Sequence, residues 1–269
     1  MLNAPSVTIV IPMFNERENI EHAIACATRT LERYAGGHEI VVVDDASTDD
    51  SVEIVTTLAA ADPRIRLLRH AQNRKLGGTL RTGFAAARMD VVLYMDADLP
   101  YDPDILGRGL AALEVSRADM IAGYRLDRTG EGALRAIYSY VYNTVIGLLF
   151  RWPHRDINFS FKLLRREVLE AVELRAEGSL IDAELVVKAK NLGFVIQQIG
   201  LDYFPRSRGI STLSSPRVIF KILGELVDLF SDMRHPKRRV PQVPAAESPS
   251  GSAPAAELPA GTASAHRAP

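Results

Sequence analysis

Residues 91–98 read Val-Val-Leu-Tyr-Met-Asp-Ala-Asp, an apolar run that closes on two acids. A run this apolar suits a strand buried on both faces, as in a parallel sheet covered by helices. Val7 to Ile11, ended by Pro12, and Glu39 to Val43, ended by Asp44 and Asp45, are runs of the same kind, and Ile65 to Arg69 adds another. Between them the period changes. Ile20, Ala23, Ile24, Ala27 and Leu31 recur at helical spacing, Ser47 to Ala61 carries Val52, Val55 and Leu58 on one face, and Leu76 to Arg88 reads as a third helix. Strands alternating with helices imply βαβ units, because parallel strands need a long crossover. The expected class is α/β, one Rossmann-like domain with a mostly parallel central sheet flanked by helices.

The pattern continues beyond Asp104 with a helix and a strand at Met120 to Tyr124. Arg125 to Gly132 is polar and reads as a loop, and Ala133 to Phe150 as an aromatic helix too short and too polar to span a bilayer. Asn158 to Leu164 alternates apolar with polar residues and predicts a half-buried strand. Helices are expected over Arg165 to Leu174 and Asp182 to Leu192, a strand over Val195 to Phe204, and an amphipathic helix over Pro216 to Phe230 that leads into the basic stretch Arg234 to Arg239. From Pro236 the chain is Pro, Ala, Ser and Gly with few large apolar residues, so 236–269 is expected to be a disordered tail behind a domain of residues 1–235.

Composition narrows the partners. A formal charge of −1 gives no electrostatic case for nucleic acid. Cys26 is the only cysteine, which excludes an internal disulfide and a cysteine-based zinc cluster. Met1 to Ser6 shows no basic region followed by an apolar stretch, so no secretory signal and a cytoplasmic setting are expected. His22, His38, His70, His154 and His235 show no ligand spacing and are expected in structural or surface roles.

Three strand ends carry acids: Glu16 after Pro12-Met13-Phe14-Asn15, then Asp44-Asp45, then Asp96-Ala97-Asp98. Parallel strands place their carboxyl ends along one edge, where ligands of open α/β sheets bind. Asp96 and Asp98 point to opposite faces of a regular strand, so a turn after Asp96 is needed before both serve one site. Beside a diphosphate, two hard carboxylates could seat Mg²⁺ or Mn²⁺; a capped, solvated strand end is the other reading.

With these motifs in order, the chain resembles glycosyltransferase family 2 enzymes of GT-A fold, and within them the polyprenyl-phosphate sugar synthases such as dolichyl-phosphate mannose synthase. Carrying residues are Val7 to Glu16, Val43 to Asp49, Asn73 to Thr79, Met95 to Leu99, Asp156 to Arg166, Asp182 to Leu185 and Arg208 to Thr212. The resemblance implies a donor half over 7–124 and an acceptor half over 125–235. It implies that Pro12, Phe14 and Glu16, with Asp44 or Asp45, form the base and ribose pocket of a GDP- or UDP-sugar. It further implies that Lys75 and Gly77 lie near the nucleotide and that Asp96 and Asp98 hold the metal, with Asp98 and Asp182 in catalytic positions. Lys162, Arg206, Arg208 and Ser211 (with Thr212) would hold acceptor phosphate, a task suited to guanidinium, ammonium and hydroxyl donors.

The chain departs from the synthases at Pro100, where they commonly carry Gln, and at Asn158-Phe159-Ser160-Phe161, where Ser-Gly usually precedes the Phe. Ile181 replaces an acid of the general-base motif. A polyprenyl (dolichyl or undecaprenyl) phosphate is already an anion and needs no base, which tilts the acceptor that way. The expectation is therefore a metal-dependent inverting hexosyltransferase acting on a polyprenyl phosphate, with peripheral contact at the cytoplasmic membrane face. A soluble hydroxyl acceptor, a sugar-1-phosphate nucleotidyltransferase and a non-catalytic nucleotide-sugar-binding subunit are the alternatives.

Overall fold

A computed structural model describes residues 4–127, 133–151, 154–204 and 216–239, with the side chains of 133–136 and 216–221 left aside. Strands β1 (Ser6–Met13), β2 (Gly37–Asp44), β3 (Ile65–Arg69) and β4 (Val91–Tyr94) alternate with helices α1 (Ile20–Tyr34), α2 (Ser51–Ala61) and α3 (Lys75–Ala86). Then come α4 (Ile105–Val115), β5 (Met120–Arg125), α5 (Ala133–Phe150), β6 (Lys162–Arg165), α6 (Arg166–Ala171), α7 (Ile181–Asn191), β7 (Ile196–Leu201) and α8 (Pro216–Arg234).

The seven strands form one sheet in the order β3-β2-β1-β4-β6-β5-β7. All neighbours are parallel except β6, which runs antiparallel to both β4 and β5. The mostly parallel sheet expected from the alternation is present. Strand order reverses between β1 and β4, the crevice position where α/β sheets take their ligands.

Each strand feeds two cores, as period-2 geometry requires. Val7, Ile9 and Ile11 of β1 face α1, α2 and α4, while Val10 joins Val41 and Val43 against α3 and the α5–α8 layer. Gly83 lets α3 lie close on the sheet: a Cβ there would sit 2.3 Å from Val10 Cγ1.

Two expected boundaries move, each for a local reason. The helix expected from Ser47 begins at Ser51, because Ser47 and Thr48 are tied to Asn15 and Asp49 accepts from Ser51 and Arg17. The strand expected over Asn158 to Leu164 shortens to β6, since the Lys162 ammonium takes the carbonyls of Ile157 and Phe159 and bends the chain ahead of it. Nor is that segment half-buried. Residues 159–164 are all buried, because β6 lies between β4 and β5 under helices on both faces.

Residues 128–132 of the expected polar loop, and 240–269 of the expected tail, fall outside the described residues. At the end of the described chain the Arg239 N–H donates to Ala171 O. None of the helices searched among the described residues is long and apolar enough to cross a membrane.

Candidate active site

The carboxyl ends of β1, β2, β4 and β5 and the amino end of β6 meet on one edge of the sheet. Beyond Tyr94 the chain turns at Ala97 and Asp98, and Leu99 takes φ 49°. This turn brings Asp96 and Asp98, which a regular strand would send to opposite faces, onto the wall of one cavity. Tyr94, fully enclosed, donates its hydroxyl to Asp96 Oδ1 at 3.0 Å. Left-handed backbone recurs along this edge at Asn15 (φ 55°), Ala46 (φ 66°) and Lys75 (φ 59°). Non-glycine residues hold that conformation at a cost of about 1–3 kcal/mol, so the surrounding contacts must impose it.

At the ends of β1 and β2, Asp44 is wholly buried; its Oδ1 accepts from the Ser47 N–H at 3.1 Å, and Arg69 lies 3.5 Å from Oδ2. Asp45 Oδ1 accepts the Arg74 N–H at 2.8 Å and contacts His70 Nδ1 at 2.8 Å. An ionised carboxylate only accepts, so the His70 proton sits on Nδ1, while Nε2 meets Thr82 Oγ1 at 2.9 Å. Phe14 is 48% exposed, its ring presented at the edge, and Pro12 lies partly buried beside it. Glu16 Oε2 accepts from Asn19 at 2.8 Å. Lys75 pairs with Glu177 at 2.9 Å, and the Gly77 N–H donates to Glu177 O at 2.8 Å. A Cβ on Gly77 would lie 2.1 Å from Ala176 O, so this position demands glycine for close backbone approach.

A cavity of about 330 Å³ opens beside the two acids. Its polar lining includes Asp96, Asp98, Arg125, Asp156, Asn158 and Ser160. Its apolar lining includes Val141 and Val145 of α5 and Ile222, Leu223 and Leu226 of α8. Arg125 is clamped over the rings of Phe159 (5.1 Å) and Tyr203 (4.8 Å) and lies 3.4 Å from Asp156. Ser160 Oγ, Asn158 Oδ1 and the Tyr142 hydroxyl are enclosed and have no hydrogen-bond partner among the described residues. Buried polar atoms are normally paired, so these three stand ready for a polar ligand group. Burial, with Asp182 and Glu225 nearby, pushes the Tyr142 hydroxyl pKa well up, which keeps it a donor.

Under this floor lies a buried ion pair. Lys162 is 0% and Asp182 3% exposed, with Nζ 3.3 Å from Oδ1. Burial raises the Asp182 pKa to about 6, against the pull of Lys162 and with help from Asp96. His154 is held neutral, its pKa lowered to about 3 by burial and then by Lys162.

Asp96 and Asp98 thus share a wall through the turn that a common site requires, and Pro12, Phe14, Glu16, Asp44 and Asp45 lie along the same edge. Lys162 is not on the cavity wall; its ammonium is consumed by Ile157 O, Phe159 O and Asp182, so a phosphate-holding role gives way to an internal one. Asp182 lies in that same pair and does not line the cavity. Arg206, Arg208 and Ser211 fall outside the described residues. Sequence reasoning missed Arg125, His70 and Tyr142. Arg125 and His70 each close or follow a strand at the carboxyl edge, a positional signal that pointed to them.

Comparison with known proteins agrees with this architecture. The profile of "Glycosyl transferase family 2" matches residues 8–173. The glycosyltransferase AglD of Haloferax volcanii is 32% identical over 207 residues, 74% of this chain and 33% of that protein. A dolichol-phosphate mannosyltransferase of Pyrococcus furiosus is 30% identical over 83% of this chain and 63% of its own length. The chain therefore spans a third of the first of these relatives and less than two thirds of the second. A polyprenol monophosphomannose synthase of Mycolicibacterium smegmatis is 29% identical over 80% of this chain and 84% of its own. Among solved structures, glucosyl-3-phosphoglycerate synthase of Mycobacterium tuberculosis superposes with a TM-score of 0.67 at 17% identity, over 84% of this chain and 78% of the other, a likeness of fold. The chain belongs to glycosyl transferase family 2 and folds as a GT-A glycosyltransferase.

Proposed function

We propose that this glycosyltransferase moves a sugar from a GDP- or UDP-sugar to a polyprenyl phosphate, with inversion at the anomeric carbon. The observation that carries the reading is one cavity lined both by acids, Arg125 and unpaired polar groups and by apolar side chains of α5 and α8. A phosphate joined to a long hydrocarbon combines the same two characters. The relatives named for dolichol and polyprenol phosphates support the same acceptor.

Asp96 and Asp98 offer the hard oxygen donors that Mg²⁺ or Mn²⁺ prefers. No cluster of three or more His, Cys, Asp or Glu that could hold a metal occurs among the described residues, which suits a cation completed by substrate phosphates rather than caged by protein. When bound, such an ion neutralises charge on the departing nucleoside diphosphate. Asp45, held by His70, and Asp44 would accept hydrogen bonds from the base or ribose, and the exposed Phe14 ring offers a stacking face. Arg125, reaching the cavity between two aromatic rings, would orient the acceptor anion. A phosphate oxygen then attacks the anomeric carbon as the bond to the diphosphate breaks. No proton need be removed, so Asp182 can remain in its ion pair.

The two helices that line the cavity also expose apolar side chains: Ile137, Tyr140, Val141 and Leu148 on α5, and Leu223 and Val227 on α8. With the basic stretch after α8 they suit reversible contact with an anionic membrane surface. The test is transfer from a panel of GDP- and UDP-sugars, with Mn²⁺ or Mg²⁺, to a polyprenyl phosphate and to soluble hydroxyl acceptors. A lipid-linked sugar phosphate, formed also by Asp182→Asn, is the expected product. Transfer only to soluble hydroxyls, abolished in Asp182→Asn, would replace this reading with a general-base mechanism.

A further inference from the structure

A segment between α6 and α7 joins the two halves of the molecule, and one buried acid holds it. Glu184, 0% exposed on α7, accepts the Arg175 N–H at 2.9 Å and the Ala176 N–H at 2.8 Å. Lys188, one turn on, pairs with Glu184 at 2.7 Å, donates to Glu173 O at 2.7 Å and contacts Asp232 of α8. The segment's outer side meets the start of α3. Glu177 O accepts from Gly77 at 2.8 Å, the Glu177 carboxylate pairs with Lys75 at 2.9 Å, and Ala176 O accepts from Arg81. Its far end reaches α8, where the Gly178 N–H donates to Glu225 at 3.3 Å. Leu223 and Leu226, the neighbours of Glu225, line the cavity.

We propose that Glu184 is a positioning residue: it fixes residues 175–177 as a strut, and the strut sets the place of the first turn of α3, Lys75 to Gly78. The inference rests on reading that turn as part of the donor site. Three backbone contacts to one carboxylate are more than α7 needs for its own stability, and no other described side chain caps the Arg175 and Ala176 N–H groups. Two oxygens are required because the two N–H groups and Lys188 approach the same carboxylate. Glu184 never reaches substrate; its effect passes through Ala176 and Glu177. Gly77 has no room to follow a shifted strut, with only 2.1 Å between its Cβ position and Ala176 O.

Two substitutions test this. Glu184→Gln exchanges one accepting oxygen for a donor, and Glu184→Asp keeps the charge beside Lys188 while withdrawing both oxygens from the strut. In folded protein, hydrogen exchange at the Gly77 amide should rise at least about tenfold while amides of β1 and β4 keep their protection. The Kd for GDP or UDP with Mn²⁺ and the KM for the nucleotide-sugar should rise about tenfold, with the acceptor KM unchanged. Combining Glu184→Gln with Gly77→Ala should weaken nucleotide binding little beyond either alone, as expected for groups acting through one contact. Unaltered Gly77 exchange and nucleotide Kd in both folded variants, or full additivity with Gly77→Ala, would overturn the proposal. If the wild-type protein binds neither nucleotide, the donor reading falls instead, while exchange at Gly77 still decides whether Glu184 holds the start of α3.

Discussion

The Lys162 ammonium lies 3.3 Å from Asp182 Oδ1, and both side chains are closed off from solvent. The same ammonium donates to the carbonyls of Ile157 and Phe159, so one buried charge ties α7 to the segment that carries Asn158 and Ser160 into the cavity. A residue that composition suggests for the surface is thereby an internal brace beneath the cavity. Its partner Asp182 is occupied in that brace.

Removing one partner of such a pair leaves an uncompensated buried charge. Lys162→Met should destabilise the fold by about 3–5 kcal/mol, and Lys162→Met with Asp182→Leu should recover much of that loss. Urea unfolding of the single and double variants measures both; a double variant as unstable as the sum of the singles would refute the pairing as the cause.

Asp96→Asn and Asp98→Asn each take a formal charge from the wall where the cation would be held. Transfer should fall by at least about a hundredfold, near 3 kcal/mol of transition-state stabilisation. Melting temperatures should stay within a few degrees, because neither acid is part of the apolar core. Isothermal titration with Mn²⁺ and nucleoside diphosphate checks binding; metal-dependent binding that survives in both variants would argue against the two acids as ligands.

His70 stands behind Asp45 and holds its carboxylate from one side while the Arg74 N–H holds it from the other. His70→Ala should raise the KM for the nucleotide-sugar by about five- to twentyfold, the cost of a partly lost hydrogen bond to a charged group. His70→Gln, which can still donate, should recover part of it. Equal KM values for all three proteins would mean that Asp45 needs no such support.

Two buried groups give stability opposite responses to acid. His154, its pKa lowered to about 3, is neutral in the fold, and the unfolded chain takes up its proton below the ordinary value of 6.5. Its contribution is therefore lost as pH falls from 6.5 towards 3. Asp182, raised to about 6, binds its proton more readily when folded, so acidification from 6 towards 3.8 favours the fold. His154→Gln, which keeps an acceptor for Gln198, should remove the acid-labile contribution of this buried imidazole. Between pH 7 and pH 4 its melting temperature should fall less than that of the wild type, and parallel curves would exclude His154 as the acid-labile group.

Alternating apolar runs and helical periods determined the βαβ framework on their own, because periods of 2 and 3.6 report which faces each element buries. Strand direction then placed Glu16, Asp44, Asp45, Asp96 and Asp98 on one edge, since parallel strands must end together. The half-buried strand that alternation predicts over 158–164 differs from the buried β6 because periodicity registers only a residue's own neighbours, while Lys162 inverts the pattern by turning inward to main-chain carbonyls. Only the tertiary structure decided that β6 inserts antiparallel between β4 and β5, which sets Tyr94, Lys162 and Ala122 in one row across the sheet. That order put Arg125 on the cavity wall and Lys162 against Asp182, and loop packing put His70 behind Asp45 and Glu184 beneath the strut. Local pattern cannot contain these pairings, for each joins residues whose contact depends on which strands and loops become neighbours.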